Sequence, residues 1–183
     1  MNSLRFLFSF VCGQQHCWVL GGFTLPLCQR CTGLYVGASC AFLLVLLFRP
    51  RPGAFLYSLH GFFMLFMFPF GFHFVAHGAL MRTFTGALFA FGLVYYLALN
   101  PLTHFRAWKP ESSSRVISYL AAVAVSIVLL LRTVQAGGEV TAIVLSSLAI
   151  AGLAVLTLLT AANLVVLPAT VRALRAFSIL SAR

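Results

Sequence analysis

Five long apolar segments constrain this chain more than any other feature. They cover residues 32–48, 54–72, 84–100, 116–131 and 141–167. A helix needs about 20 mostly apolar residues to cross a bilayer, and about 17 are enough at the short end. Backbone in lipid must form helices or closed barrels, and none of these segments alternates apolar with polar residues as barrel strands do. The sequence therefore predicts an all-α integral membrane protein with about five transmembrane helices in a small bundle.

The composition supports this class. The 183 residues are 62% hydrophobic and 8% charged, whereas soluble domains are about 45–50% apolar and about 25% charged. Residues 32–183 are expected to form the helical bundle, with residues 1–31 as an interfacial segment rich in Cys and His, in a single domain overall. The net charge of +10 does not indicate nucleic-acid binding, because the basic residues occupy short connections between apolar segments.

The basic residues also predict the orientation. Four lie on the face that carries Cys28 and Cys31, and eight lie on the opposite face, which favours that opposite face as cytoplasmic. We therefore expect a bacterial inner membrane protein whose cysteine face is extracytoplasmic. The first set is Arg5, Arg30, Arg82 and Arg132; the second is Arg49, Arg51, Arg106, Lys109, Arg115, Arg172, Arg175 and Arg183.

A stripe of small residues marks the first apolar segment. Gly33, Gly37 and Ala41 recur at four-residue spacing, which lets another helix approach closely. The stripe predicts either packing within this chain or association with another membrane subunit or a second copy.

A cysteine cluster lies where the first helix enters the membrane. Cys28 and Cys31 form a Cys-x2-Cys pair, and Cys12 and Cys17 lie shortly upstream. Thiolates select zinc or related transition metals, and structural zinc takes four Cys or His ligands. The sequence predicts a metal site, with zinc as the metal and these four cysteines as ligands. The alternate ligands are His16, His73 and His77.

Two other kinds of chemistry compete with this interpretation. Cys-x2-Cys is also the spacing of thiol-disulfide exchange proteins. The size and thiol pairs of the chain resemble quinone-linked disulfide-forming membrane enzymes, a resemblance that implies electron transfer from Cys28 and Cys31 to a quinone. His60 lies inside the second apolar segment, where an ionisable side chain marks a functional site by default. It is a candidate axial ligand for haem or chlorophyll in a photosynthetic or respiratory complex. The alternative for His60 is a neutral imidazole hydrogen-bonded to a carbonyl or hydroxyl.

Little else in the chain suggests catalysis. Glu111 and Glu139 are the only acidic residues, so no paired-carboxylate site is expected. The sequence has no glycine-rich phosphate loop and no metalloprotease His-Glu motif. These observations favour a protein that is not an enzyme.

The segment around the Cys-x2-Cys pair resembles a known family. Pro26-Leu27-Cys28-Gln29-Arg30-Cys31-Thr32-Gly33-Leu34-Tyr35-Val36-Gly37 is similar to the Pro-x-Cys-x-Arg-Cys-Thr-Gly-x-Tyr signature of small membrane proteins grouped as domain of unknown function 2085. The chain is identified as a divergent member over roughly residues 12–101. The further matches are Cys12-Gly13-Gln14, Pro69, Arg82 and Thr85-Gly86.

The departures from the family pattern concern the candidate ligands. Gly13 replaces a family histidine, His73 stands near a family aspartate, and His77 stands near a family glutamine. The resemblance implies a membrane protein and no particular activity. The residues and the resemblance together predict a structural or accessory subunit of a larger membrane complex, with a transition metal bound at one membrane face.

Overall fold

The computed structural model describes residues 6, 8–10, 12–13, 16–71, 74–99 and 113–181, with side chains described as far as residue 166. In these ranges, a two-stranded antiparallel hairpin precedes five helices. The strands are β1 (Cys17–Leu20) and β2 (Phe23–Cys28). The helices are α1 (Gln29–Phe48), α2 (Ala54–Gly71), α3 (Ala79–Ala98), α4 (Ser113–Ala136) and α5 (Glu139–Ser181).

All five helices of the described chain are long and apolar enough to cross a membrane, α5 over Glu139–Val166. The predicted helical membrane fold is therefore confirmed. Several helix boundaries differ from the prediction; α3, for example, begins at Ala79 rather than Phe84, and α4 ends at Ala136 rather than Leu131. The first helix begins at Gln29 rather than Thr32, which puts Cys31 in its first turn, and α5 continues beyond residue 167 to Ser181.

The hairpin is the part of the fold that the sequence analysis missed. Gly21 and Gly22 form its two-residue turn with φ values of 56° and 82°, the left-handed conformations that favour glycine in such turns. A Cβ atom on Gly21 would lie 2.7 Å from the backbone nitrogen of Glu139. The tip of the hairpin therefore lies directly against the start of α5, over the helix ends.

The small-residue stripe of α1 lies inside the bundle. A Cβ atom on Gly33 would collide with the carbonyl oxygen of Thr83, and one on Gly37 would lie 3.0 Å from the Cα atom of Ala87. Ala41 is also buried. The stripe is thus the contact surface of α1 with α3. Gly33 and Gly37 are covered by this chain, in keeping with the packing alternative for the stripe.

Helix α5 packs equally closely on α1. A Cβ atom on Gly152 would collide with the carbonyl oxygen of Tyr35, and the Ser39 hydroxyl donates a hydrogen bond of 2.7 Å to the carbonyl of Leu148. Helix α1 is therefore held between α3 and α5, which fixes the position of its amino end at the cysteine face.

The described basic side chains divide equally between the two membrane faces. Arg30, Arg82 and Arg132 lie toward the hairpin end of the bundle, and Arg49, Arg51 and Arg115 lie toward the other end. The remaining basic side chains fall outside the described residues. The extracytoplasmic orientation of the cysteine face stays a prediction.

His60 forms a buried polar contact between helices. Its Nδ1 atom lies 2.8 Å from the carbonyl oxygen of Leu56, and its Nε2 atom lies 2.9 Å from the hydroxyl of Tyr119 on α4. The ring also stacks on Tyr95 of α3 with centroids 4.0 Å apart. Nδ1 therefore carries the ring hydrogen and donates a hydrogen bond to the carbonyl of Leu56, while Nε2 accepts a hydrogen bond from the Tyr119 hydroxyl. In this arrangement both ring nitrogens are engaged, as in the non-cofactor alternative for His60.

We expect this contact to stabilise the packing of α2 against α4. His60→Phe and Tyr119→Phe, measured singly and together, should show a coupling free energy of about 1 kcal/mol, as interhelical hydrogen bonds in membranes do. The measurement is reversible unfolding in mixed detergent micelles. A matched cycle pairs His60→Phe with Ser126→Ala, because the Ser126 hydroxyl bonds only within its own helix, to Ala122. A His60–Tyr119 coupling no larger than that of the matched cycle would contradict the assignment.

Candidate metal centre

Three thiols from different parts of the chain converge at the membrane face. The sulfur atoms of Cys12, Cys28 and Cys31 all lie within 4.8 Å of one another. Cys12 comes from the N-terminal segment, Cys28 is the last residue of β2, and Cys31 is in the first turn of α1. Cys12 is buried and the other two are half-buried. The cluster can hold a metal ion because three soft donors meet at one point.

The backbone around the cluster directs N–H groups at sulfur. Cys28 is the N-cap of α1, with φ −67° and ψ 161°, and its Sγ accepts a hydrogen bond of 3.4 Å from the Cys31 N–H. The Cys28 N–H donates in turn to the Cys12 Sγ at 3.4 Å. These donors and the amino end of a helix stabilise negative charge on sulfur. The arrangement therefore suits thiolates bound to a cation.

The thiols interact strongly with one another. The pKa of Cys28 is raised above its usual value, first by the hydrogen bond with the Cys12 thiol and further by burial. A cluster without a cation thus retains protons, and a metal ion that binds must displace them.

Cys17 lies next to the cluster without joining it. Its Cα atom pairs with that of Cys28 across the hairpin, and such partners place their side chains on one face with Cβ atoms about 4.5–5.5 Å apart. Its sulfur does not fall within the 4.8 Å group. The strand register is irregular between Cys17 and Val19, and this irregularity determines where Cys17 lies relative to Cys28.

The predicted histidine ligands lie elsewhere or have other partners. His16 is exposed and has a left-handed backbone, with φ 54°. The Nε2 atom of His77 lies 3.3 Å from Nη2 of Arg30, and its Nδ1 lies 2.7 Å from the carbonyl of Val75. His73 lies outside the described residues, and His60 is in the core of the bundle.

Arg30 and Trp18 hold the surroundings of the cluster in place. Arg30 donates a hydrogen bond of 2.9 Å to the carbonyl of Phe70 at the end of α2. The Trp18 indole donates one of 3.0 Å to the Thr83 hydroxyl, which itself donates to the carbonyl of Gln29 at 3.0 Å. These contacts join the hairpin, α1, α2 and α3 beside the thiols. Sequence reasoning missed Trp18 and Thr83, although an indole next to Cys17 at a membrane boundary is a usable signal.

Aromatic rings cover the bundle side of the cluster. Phe8 is fully buried, and its backbone carbonyl accepts the Cys12 N–H at 2.9 Å. Its ring lies 5.9 Å from that of Tyr35, one helical turn after Cys31. This packing holds Cys12, which is itself buried, beside the amino end of α1.

The comparisons with known proteins agree with this description. Residues 12–96 match the model of the family described as predicted membrane protein (DUF2085). No curated protein and no solved structure is significantly similar to the chain. The matched segment runs from Cys12, the first cysteine of the cluster, to Tyr96 in the last turn of α3, and so contains all three converging thiols. The resemblance carried by the cysteine motif is therefore confirmed over residues 12–96, which match the DUF2085 family of predicted membrane proteins.

Proposed function

We propose that Cys12, Cys28 and Cys31 bind one zinc ion, which fastens the N-terminal segment and the hairpin to the ends of the membrane helices. The observation that carries this proposal is the approach of the three sulfur atoms to within 4.8 Å. Zinc fits the donors because it accepts thiolates in tetrahedral geometry without a redox change. The role is structural, since the ion would join the N-terminal segment, the end of β2 and the first turn of α1.

We propose Cys17 as the fourth ligand. Cys17 is favoured over His16 because it pairs with Cys28 across the hairpin, whereas His16 is exposed and lies outside the strand. A small change of the irregular register near Cys17 would turn its thiol toward the other three. Four thiolates complete a closed structural site, whereas three leave one position for water or another molecule.

We further propose that the protein is a non-enzymatic accessory subunit of a larger membrane assembly. Support comes from α2, which exposes large apolar side chains along its whole length. These residues are Phe55, Phe62, Leu65 and Phe68. Such a surface suits lipid or a neighbouring transmembrane helix.

Cobalt substitution tests the ligand set directly. Cobalt(II) added to the reduced, metal-free protein should bind one ion per chain and produce the near-ultraviolet absorption of thiolate-to-cobalt charge transfer, with the visible bands of tetrahedral geometry. Cys12→Ser and Cys31→Ser should each weaken the charge-transfer band, and so should Cys17→Ser if that residue is the fourth ligand. Cys40→Ser in the middle of α1 is the matched control and should leave both sets of bands unchanged.

Two results would contradict the proposal. One is cobalt uptake without a charge-transfer band; the other is a band whose intensity in Cys12→Ser and Cys31→Ser equals that of the wild type. If Cys17→Ser alone has no effect, the site holds three protein thiolates and the fourth-ligand assignment is wrong. Thiols that instead cycle between reduced and disulfide forms with a quinone would favour the oxidoreductase alternative.

A further inference from the structure

A groove runs along the outer surface between β2 and the first turns of α5. Its volume is about 320 Å³. The α5 residues that line it extend from Glu139 to Ile150, a rise of about 16 Å at 1.5 Å per residue. Half of the hydrocarbon core of a bilayer is about 15 Å thick. The groove therefore reaches from the membrane face to a depth that corresponds to one leaflet.

The walls and the mouth of this groove differ in chemistry. Phe23, Leu25 and Ile150 contribute apolar walls, and Ile143 at the rim is 61% exposed, so the groove is open to lipid along its side. Glu139 lies at the mouth and is the only charged residue among the described residues that line the groove. It is one of two acidic residues in a chain of net charge +10. A single carboxylate thus stands at the level of the lipid headgroups.

We propose that this groove binds one phospholipid of the adjoining leaflet, with an acyl chain along α5 and a primary ammonium headgroup on Glu139. A primary ammonium donates hydrogen bonds to a carboxylate, in addition to its charge. A quaternary ammonium has no N–H to donate, and an anionic headgroup is repelled. The site therefore selects ethanolamine-type headgroups over choline and glycerol headgroups.

Lipid retention in the full chain tests the proposal. The protein is reconstituted in nanodiscs with equal amounts of ethanolamine, choline and glycerol phospholipids of the same acyl chains, and the lipids retained after detergent extraction are measured by native mass spectrometry. The ethanolamine lipid should be enriched about threefold over the choline lipid, as expected for a partly exposed ion pair. Glu139→Gln should remove this enrichment.

Two further variants distinguish lipid bound in the groove from lipid bound elsewhere on the protein surface. Ile143→Trp, at the exposed rim, should lower the retention of all three lipids by blocking the acyl chain. Ile117→Trp is the matched control, because Ile117 is 66% exposed and lines a cavity of about 360 Å³ near Arg51 on the opposite face. It should leave ethanolamine enrichment unchanged. Equal enrichment in the wild type and Glu139→Gln would overturn the proposal, and so would a protein helix found cross-linked to position 143 in native membranes.

Discussion

Cys28→Ser should abolish stoichiometric metal binding while it preserves the start of α1. Serine is among the best N-cap residues, so its hydroxyl can replace the thiol as acceptor for the Cys31 N–H. The backbone N–H that donates to the Cys12 sulfur is also retained. What the variant loses is the thiolate of residue 28, and the effect therefore reports on metal ligation rather than on helix capping.

The expected loss of stability follows from the linkage between binding and folding. A metal present at 1,000 times its dissociation constant stabilises the folded state by about 4 kcal/mol. The free energy of unfolding of the wild type should fall by about this amount on chelation, whereas that of Cys28→Ser should not change when the chelator is added. The measurement is thermal or denaturant unfolding with and without metal. Cys40→Ser is the control and should respond to chelation as the wild type does.

Gly33→Ala should produce the second large effect, because it adds a methyl group where two helices touch through their backbones. The new Cβ atom would collide with the carbonyl oxygen of Thr83 on α3. Neither backbone can yield without displacing its helix, so we expect a loss of about 3 kcal/mol or more, at the upper end for overpacked cores. The amino end of α1 would move with the helix, and the affinity for metal should fall as well.

Gly71→Ala is the matched control for this substitution. Gly71 is also a helical residue, at the end of α2, but no atom of the described residues lies within 4 Å of the Cβ atom that alanine would add. The change should be neutral or stabilise the protein by up to about 1 kcal/mol, because alanine favours helix. Detergent unfolding compares the two variants. Equal stability of Gly33→Ala and Gly71→Ala would show that α1 and α3 are not in backbone contact.

The membrane-spanning elements were predictable because hydrophobic length alone defines them. The helices α2 and α4 follow their apolar segments to within a few residues at each end. The boundary of α1 was harder, since the turn with Cys31 is polar and is stabilised by the Cys28 cap rather than by hydrophobicity. The hairpin was missed although Gly21-Gly22 separates two strand-like runs, which is a usable turn signal.

The partner of the small-residue stripe could not be identified from spacing. Gly33 and Gly37 are equally suited to any helix that approaches closely, and only the three-dimensional arrangement shows that α3 covers them. Gly152, which carries the contact of α5 with α1, has no regular pattern around it that would have singled it out.

The candidate site was predictable in part. Cys28 and Cys31 have fixed spacing at a helix start, so their proximity follows from local geometry. The approach of Cys12 depends on the fold of the N-terminal segment over Phe8 and the hairpin. The direction of His77 depends on its contact with Arg30, which no local pattern specifies.

The metal content of the purified protein tests the central claim most directly. Native mass spectrometry of protein prepared without added metal, combined with thiol alkylation before and after chelation, counts both the ion and the thiols that it protects. We predict one zinc ion per chain and at least three cysteines that become reactive only after chelation. A chain without a metal ion, whose clustered cysteines react fully from the start or are joined in disulfides, would contradict the account.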